Sequence, residues 1–497
     1  MSKKNYWKSL EEKKGEIKIT DDEFGDSLPN LLKETITDKP AGRRDFLKML
    51  GFSVSAATLA ASCQLPVKKS VPYIFKPENI VPGKATFYAS TFFNRGDFNS
   101  VLVKTREGRP IKIEGNDLCP ITKGGTSARA QASVLDLYDQ AHRYKISAKA
   151  NENTDWETVD NDIKAKLNSA NKIGIISSSI ISPSTLALLE EFKSKFNNVS
   201  HVMYDAVSYS GALDANEENF GVRALPEYKF DKADLIVGIE ADFLGTYGSP
   251  VEYSKRYVKR RKVTLENREM SRHIQIESTP SITGHSADTR ISLNPSEILQ
   301  AVVNIYNGVT SSGKIGGDNF QNDKIASVVK ELKKAGKNAL LISSSPDKNV
   351  QMMVNAINNE LGAIGNTVSF GRNNLMHKGS DANLKDFVKN MGSYDAVIVY
   401  DCNPVYNVVG FEDAFSNVKT KISLSTSPDE TSVLCDYICP DHHYLESWGD
   451  AEPVSGVFTT MQPAITPLFK TRQAQESLMT WAGIEGSYFD YVKSYWG

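Results

Sequence analysis

The chain has 497 residues, of which 40% are hydrophobic and 24% are charged, and its formal net charge is −2. This length allows about three compact domains, and the abundance of apolar residues excludes general disorder. No stretch reaches the roughly 18 uninterrupted apolar residues of a membrane helix, which excludes a polytopic membrane protein. The near-neutral charge argues against nucleic acid as a partner. Five cysteines are too few for a fold of this size that is built on disulfides.

The first motif along the chain is an export signal. An Arg-Arg pair followed by x-Phe-Leu-Lys precedes an apolar run of small residues over 49–62, which is the pattern of a twin-arginine signal. The residues that form the motif are Arg43, Arg44, Phe46, Leu47 and Lys48. An ordinary amphipathic helix is the alternative interpretation of this segment. Because the twin-arginine route serves folded proteins, we predict export in the folded state.

A cysteine at the end of the apolar run is a candidate lipidation site. The segment 60–63 resembles a loose lipobox that ends at Cys63, and a plain signal peptide with an incidental cysteine fits equally well. The prolines that follow prevent a continuous helix and predict an extended tether; they are Pro66, Pro72, Pro77 and Pro82. We therefore predict a leader over 1–63 and a proline-rich tether over 64–85. The folded part is then peripheral, on the periplasmic side of the bacterial cytoplasmic membrane, held by partner subunits or by lipid on Cys63.

The folded part begins with strands and continues with alternating strands and helices. Segments 101–104 and 110–114 predict two strands joined by a turn, within a small β-rich domain over 86–155. Helices are predicted from Ser182-Pro183 to Phe196 and from Ser345-Pro346 to Leu361. The runs that predict buried strands are 172–177, 235–238, 273–276, 339–343, 396–399 and 421–424. Continuous apolar strands between helices favour parallel sheets covered on both faces. We predict an α/β fold with two doubly wound lobes, 156–310 and 311–497.

The order of turns over about residues 86–480 resembles that of one enzyme family. The matching segments are 104–116, 118–120, 231–238, 284–288, 294–297, 402–404 and 431–457. In this order they resemble large subunits of the molybdopterin oxidoreductase family, of the dimethyl sulfoxide reductase type. The resemblance rests on the succession of weak motifs, such as the turn at Leu445-Glu446, rather than on any one of them. It implies that the two predicted lobes and the small β unit are of molybdopterin oxidoreductase type.

The departures from this family concern its cofactors. Iron–sulfur members carry four thiolates near the first hairpin, and here the segment 87–125 contains only Cys119, so we expect no cluster. Asp205 and Ser208 stand where catalytic members have a metal ligand, but both residue types are common in loops. Glu277 stands in place of the aspartate that meets the pterin nucleotide, and the family's following arginine is missing. Catalytic members also continue into a C-terminal β domain, so either the cofactor is lost or the chain is incomplete.

These losses, with a twin-arginine leader and a proline-rich tether, resemble the large iron–sulfur subunit of alternative complex III, a bacterial quinol-oxidising assembly. The resemblance implies a region without cofactor, Fe–S clusters in an associated or downstream ferredoxin-like domain, and haem-containing and integral-membrane partner subunits. We accordingly predict no catalytic, cofactor-binding or metal-binding residue in this chain. The predicted function is a non-catalytic structural platform in a membrane-associated respiratory electron-transfer complex. Two alternatives remain, an active molybdenum oxidoreductase and a free-standing exported binding lipoprotein.

Two further clusters allow more than one interpretation. A thiol and imidazole cluster has the spacing of metal ligands, and buried core thiols that share one face of a strand fit it as well; its residues are Cys435, Cys439, His442 and His443. A basic run is either a solvated helix face or a docking surface for an acidic partner; its residues are Lys255, Arg256, Lys259, Arg260, Arg261 and Lys262. No nucleophile, base and orienting residue can be assembled into a catalytic set.

Overall fold

A computed structural model describes residues 81, 83–265, 268–311 and 323–497 of the chain. The predicted leader with its motif at 43–48, Cys63 and most of the predicted tether lie outside the described residues. Contacts place the described residues in one compact unit. Within the described ranges, every helix is too short or too polar to cross a bilayer.

The secondary structure alternates between strands and helices. The strands are β1 (Thr86–Asn94), β2 (Asp97–Arg106), β3 (Arg109–Gly115), β4 (Ala148–Lys149), β5 (Glu152–Asn153), β6 (Ile173–Ser177), β7 (Val199–Met203), β8 (Leu225–Tyr228), β9 (Leu235–Ile239), β10 (Arg272–Glu277), β11 (Thr289–Ser292), β12 (Ala339–Ser343), β13 (Val368–Asn374), β14 (Ala396–Tyr400), β15 (Thr420–Ser423), β16 (Tyr437–Ile438), β17 (Gly449–Val454) and β18 (Val457–Met461). The helices are α1 (Ala128–Leu137), α2 (Trp156–Ser169), α3 (Pro183–Lys195), α4 (Ser210–Phe220), α5 (Pro250–Arg261), α6 (Ile282–His285), α7 (Pro295–Thr310), α8 (Asp323–Ala335), α9 (Lys348–Glu360), α10 (Asp381–Lys389), α11 (Pro404–Asn407), α12 (Phe411–Ser416), α13 (Ala474–Ala482) and α14 (Tyr488–Trp496).

The N-terminal β unit is an antiparallel sheet in the order β1-β2-β3. Strands β2 and β3 contain the two predicted strand segments, and Glu107-Gly108 forms the turn between them with φ of 52° and 76°. Strand β1 was not predicted; it is joined to β2 by Arg95-Gly96 with φ of 48° and 86°. Two-residue turns with positive φ at both positions match the twist of a hairpin, and glycine adopts that conformation without strain.

Two parallel sheets form the centre of the molecule. The larger runs in the order β7-β6-β14-β15-β16 with parallel pairing, and β4 and β5 extend its edge in antiparallel pairing. The smaller runs in the order β11-β10-β9-β12 and is wholly parallel. Strands β6, β9 and β12 are buried over all five residues, because apolar clusters cover both faces of each sheet. The predicted α/β fold with parallel sheets is confirmed.

The pairing of strands differs from the predicted assignment to lobes. Strands β14 and β15, expected in the second lobe, pair in the same sheet as β6, which was expected in the first. Strand β12, expected in the second lobe, pairs with β9 of the first. That assignment of strands to sheets is wrong, because hydrophobic runs specify a buried strand but not its partner. The five segment boundaries themselves stay a prediction.

The predicted helix starts depend on capping residues. Ser182 caps α3 by accepting a hydrogen bond from Thr185 N at 3.0 Å, as predicted. The other predicted start is shifted, because Asp347 rather than Ser345 caps α9 by accepting from Asn349 N at 2.7 Å. A side-chain acceptor at this position satisfies one of the free N–H groups of the first helical turn.

Helix α4 connects the two parallel sheets. It follows β7 of the larger sheet and packs on α9, which follows β12 of the smaller one; Asn355 Nδ2 donates a hydrogen bond to Asn216 Oδ1 at 2.9 Å. At the start of α4, a Cβ atom added to Gly211 would lie 2.1 Å from the carbonyl oxygen of Pro346. The close approach of helix and loop therefore requires glycine at this position.

We expect Gly211→Ala to lower the free energy of unfolding by about 1–3 kcal/mol, because the methyl group overlaps a backbone carbonyl. This loss outweighs the better helix propensity of alanine. Urea unfolding followed by circular dichroism measures the effect. Gly392→Ala is the control, since the nearest atom to its added Cβ is Asn417 Cβ at 3.9 Å. Equal unfolding free energies for the two variants would contradict the close packing.

Candidate functional site

A cavity of about 670 Å³ lies where the carboxyl ends of both parallel sheets meet. Residues directly after β6, β7, β9, β12 and β14 line it, namely Ser178, Tyr204, Glu240, Ser344 and Asp401. We call it the central cavity. Ligands of open α/β sheets bind in the crevice outside the carboxyl ends of the strands, so this position makes the cavity the candidate functional site.

The central strands of the two sheets end in similar ways. Glu240 and Asp401 both adopt positive φ, 56° and 51°, in the turn that follows β9 and β14. Ser178 Oγ donates a hydrogen bond to Asp401 Oδ2 at 2.8 Å, and Ser344 Oγ donates to the backbone oxygen of Glu240 at 2.8 Å. Positive φ in a residue other than glycine is a strained conformation that concentrates at functional sites.

One wall of the central cavity comes from the N-terminal β unit. The turn at Arg95-Gly96 and the first residues of α1 line the cavity together. Ser127, which caps α1, donates from Oγ to Asp97 Oδ2 at 2.7 Å and from its backbone N to Asn99 Oδ1 at 3.0 Å. These hydrogen bonds hold the start of α1 against the hairpin.

A buried histidine, His377, lies on the opposite side of this wall. His377 is 6% exposed, and its ring stacks on that of Tyr209 with centroids 3.7 Å apart. Its Nδ1 lies 3.8 Å from Asp205 Oδ2, which is beyond hydrogen-bonding distance. Within the described residues, neither ring nitrogen of His377 has a hydrogen-bond partner. No sequence motif surrounds His377, so it was not predicted as a site residue.

The two residues considered as metal ligands reach the cavity without forming a metal site. Asp205 and Ser208 both line it. Asp205 Oδ2 accepts a hydrogen bond from Gly379 N at 3.1 Å, and Ser208 Oγ donates to Asp381 Oδ2 at 2.8 Å. In the part of the chain that the structure describes, no three His, Cys, Asp or Glu side chains are grouped as metal ligands.

Glu277, the residue in place of the nucleotide-binding aspartate, is engaged inside the protein. Its carboxylate accepts hydrogen bonds from Arg290 Nε at 2.6 Å and from Ser281 Oγ at 2.6 Å. Burial raises the pKa of Glu277, but these donors more than offset it and hold the pKa below its usual value. A pterin nucleotide would have to displace both partners. The hydrogen bonds of Glu277 therefore do not favour a pterin nucleotide at this position.

The thiol and imidazole cluster is divided between two faces of a sheet. Cys435 packs with Ile438 in one apolar cluster, whereas Cys439 packs with Tyr437 in another. The expectation that the two thiols share a face is wrong: the alternation of β16 continues to Cys439, which shares a face with Tyr437, but not back to Cys435, which follows a 3₁₀ turn over Ser432–Leu434. Burial raises the pKa of both thiols, and His442 Nδ1 lies 2.7 Å from Thr471 Oγ1. The cluster has the character of core thiols rather than metal ligands.

A second cavity, of about 330 Å³, adjoins the central cavity, and Ser178 and Asp401 line both. Its charged lining consists of aspartates, namely Asp136, Asp401, Asp441 and Asp450. Burial raises the pKa of Asp441 to about 7, although its carboxylate accepts hydrogen bonds from the backbone N–H groups of His442 and Ala474.

The basic run is paired within the chain. It lies at the end of α5, where ion pairs connect its arginines to carboxylates of neighbouring segments. These pairs are Arg256 with Glu227, Glu252 and Asp231, Lys259 with Asp231, Arg260 with Asp234, and Arg261 with Asp288. Because most of the charges already have partners, the run anchors α5 and offers little charge for an acidic partner.

Comparisons with known proteins support the fold described above. No family model matches the chain. The chain is 22% identical over 437 residues to a menaquinone reductase, molybdopterin-binding-like subunit, from Nitratidesulfovibrio vulgaris; the match covers 77% of this chain and 63% of that protein, less than two thirds of its length. Acetylene hydratase from Pelobacter acetylenicus superimposes with a TM-score of 0.55 at 12% identity, covering 80% of this chain and 69% of the hydratase. The chain therefore has the α/β fold of the molybdopterin oxidoreductases.

Proposed function

We propose that the chain is a non-catalytic, molybdopterin-oxidoreductase-like subunit that serves as a structural platform in a membrane-associated respiratory complex. The similarity to a subunit of a menaquinone reductase supports a role beside quinone chemistry. In this proposal the folded part offers surfaces to neighbouring subunits. Electron transfer in such a complex then passes through cofactors of the partners.

The proposal that the chain is non-catalytic rests on the hydrogen bonds of Glu277. A carboxylate that binds a nucleotide must present free acceptor capacity, whereas Glu277 is occupied by Arg290 and Ser281. A Cβ atom added to Gly284 would lie 1.9 Å from Glu277 Oε1, so the segment is also closely packed around the carboxylate. The side chain is bonded within its own loop, and a nucleotide would have to displace these contacts.

The proposed assembly is of the alternative complex III type. Its partners are haem-containing and integral-membrane subunits and an iron–sulfur domain of ferredoxin type. Support comes from the sequence, in which a twin-arginine motif and a proline-rich segment precede the fold. In this proposal the chain lies on the periplasmic side of the cytoplasmic membrane.

Purification of the tagged full chain from native membranes in mild detergent tests the assembly. We expect haem-containing and integral-membrane subunits to co-purify in constant ratio, with Fe–S signals in electron paramagnetic resonance. A chain recovered alone would contradict the platform role and favour a free-standing binding lipoprotein.

Lipid on Cys63 is tested separately, because one acyl chain binds a membrane only weakly and partners can hold the protein as well. Intact mass of the mature chain shows whether Cys63 is the modified N-terminus. We expect Cys63→Ser to remain on membranes that contain the partner subunits. Its release into the soluble periplasm would show that lipid, rather than the partners, holds the chain.

A further inference from the structure

In the wall beside the hairpin turn, the ring nitrogens of His377 have no hydrogen-bond partner among the described residues. His377 is nine-tenths buried, and a Cβ atom added to Gly96 would lie 2.2 Å from its Cε1, so the turn covers one side of the ring. Tyr209 covers a ring face. A buried polar group of this kind normally has a partner, and here the ring edge borders the central cavity.

Two arginines complete this wall. Arg95 belongs to the hairpin turn and Arg129 to the first turn of α1, and both are exposed and line the central cavity. Neither forms a hydrogen bond or ion pair with any residue in 83–265, 268–311 or 323–497. Helix α1 also directs the positive end of its dipole toward the cavity.

The carboxylates of the central cavity, in contrast, already accept hydrogen bonds. Their donors are Ser127 Oγ to Asp97 at 2.7 Å, Gly379 N to Asp205 at 3.1 Å, Ser278 N to Glu240 at 2.8 Å, Thr283 Oγ1 to Asp242 at 2.7 Å and Ser178 Oγ to Asp401 at 2.8 Å. The groups that still need a partner are two guanidinium groups, which only donate, and the imidazole ring of His377, which in its neutral form has one N–H donor. An acceptor with negative charge satisfies these donors best.

We propose that the central cavity binds a compact oxyanion, a phosphate or carboxylate group, at Arg95, Arg129 and His377. A bidentate oxyanion matches the planar fork of a guanidinium group. The group must be compact, because a polyanion that spans the crevice would also meet Glu240 and Asp401. This inference goes beyond the proposed structural role. It does not depend on that role, because a structural subunit without pterin can have an anion site or lack one.

Isothermal titration of the full chain tests the site, with inorganic phosphate and with acetate as the two probes at constant ionic strength. We expect saturable binding of at least one probe, and its identity distinguishes a phosphate from a carboxylate ligand. Arg95→Gln and Arg129→Gln are each expected to weaken binding by about tenfold, as loss of a charged hydrogen bond does. Arg106→Gln, at the exposed end of β2 and outside the cavity lining, is the matched control.

Two further variants test the geometry. Asp401→Asn removes a negative charge from the cavity and keeps a side chain that tolerates positive φ, so binding should tighten by about two- to tenfold. His377→Phe keeps the ring contact with Tyr209 but removes both nitrogens; we expect about tenfold weaker binding and an undiminished melting temperature without anion. Failure of both probes to bind, or equal affinity in Arg95→Gln, Arg129→Gln and the control, would overturn the proposal.

Discussion

Replacing Arg143 by leucine is expected to lower the free energy of unfolding by about 3–5 kcal/mol, because it leaves a buried carboxylate without its counter-ion. Arg143 Nη2 donates a hydrogen bond to Glu446 Oε2 at 2.8 Å, and Nη1 donates to Leu137 O at 3.1 Å. The side chains of Arg143 and Glu446 are only 4% and 0% exposed. Water therefore cannot replace the lost partner.

Chemical unfolding at neutral pH measures this loss. Arg272→Leu is the matched control, because its pair with Glu331 has exposed fractions of 43% and 29%, and surface pairs contribute about 0–1 kcal/mol. Burial raises the pKa of Glu446, but Arg143 and backbone N–H donors outweigh it and hold the pKa below its usual value. The stabilisation is therefore present above the pKa of the unfolded carboxyl and is lost as the pH falls through the folded value. Losses of similar size in both variants would contradict the buried pair.

Asp441→Asn is expected to stabilise the protein above neutral pH. The pKa of Asp441 is raised to about 7, mainly by burial, so folding favours the protonated form. The stability that this proton provides is present below about pH 4, the unfolded value, and is lost as the pH rises to about 7. Ionised Asp441 costs on the order of 2 kcal/mol once the solvent of its cavity is allowed for.

Unfolding free energies between pH 5 and pH 8 test this expectation. Wild-type stability should decline across the interval relative to that of Asp441→Asn, whose amide oxygen still accepts the N–H groups of His442 and Ala474. Asp386→Asn, on the exposed side of α10, is the control. Parallel pH profiles for wild type and Asp441→Asn would show that Asp441 keeps an ordinary pKa.

Local sequence features predicted local structure well. The apolar run at 173–177 is buried on both faces as β6, and Ser182 caps the following helix. The pairing of β6 with β14 was not predicted, because it joins strands far apart in sequence and depends on how the helices between them pack. The strand β1 was missed because its partner surfaces, β2 and β18, only exist in the folded chain.

In the candidate site, too, some residues were predicted from the sequence and others are brought together only by folding. Asp205 was singled out because it stands where catalytic members of the resembled family have a metal ligand, and it does line the central cavity. His377 was not, because its burial without a hydrogen-bond partner arises from Gly96 and Tyr209, which meet it only after folding. The hydrogen bond from Arg290 to Glu277 was not predicted either. The sequence shows that the arginine of the family motif is missing, but not that another arginine contacts Glu277 in the folded chain.

The molybdenum content of the full chain is the direct test of whether this chain is a subunit without its own pterin cofactor. The chain is produced in a host that supplies assembled pterin cofactor, purified, and analysed for molybdenum by mass spectrometry and for released pterin by fluorescence. Because Glu277 is held by Arg290 and Ser281, we expect neither molybdenum nor pterin in stoichiometric amount. One molybdenum with its pterin per chain would contradict the proposed role and favour the alternative of an active molybdenum oxidoreductase.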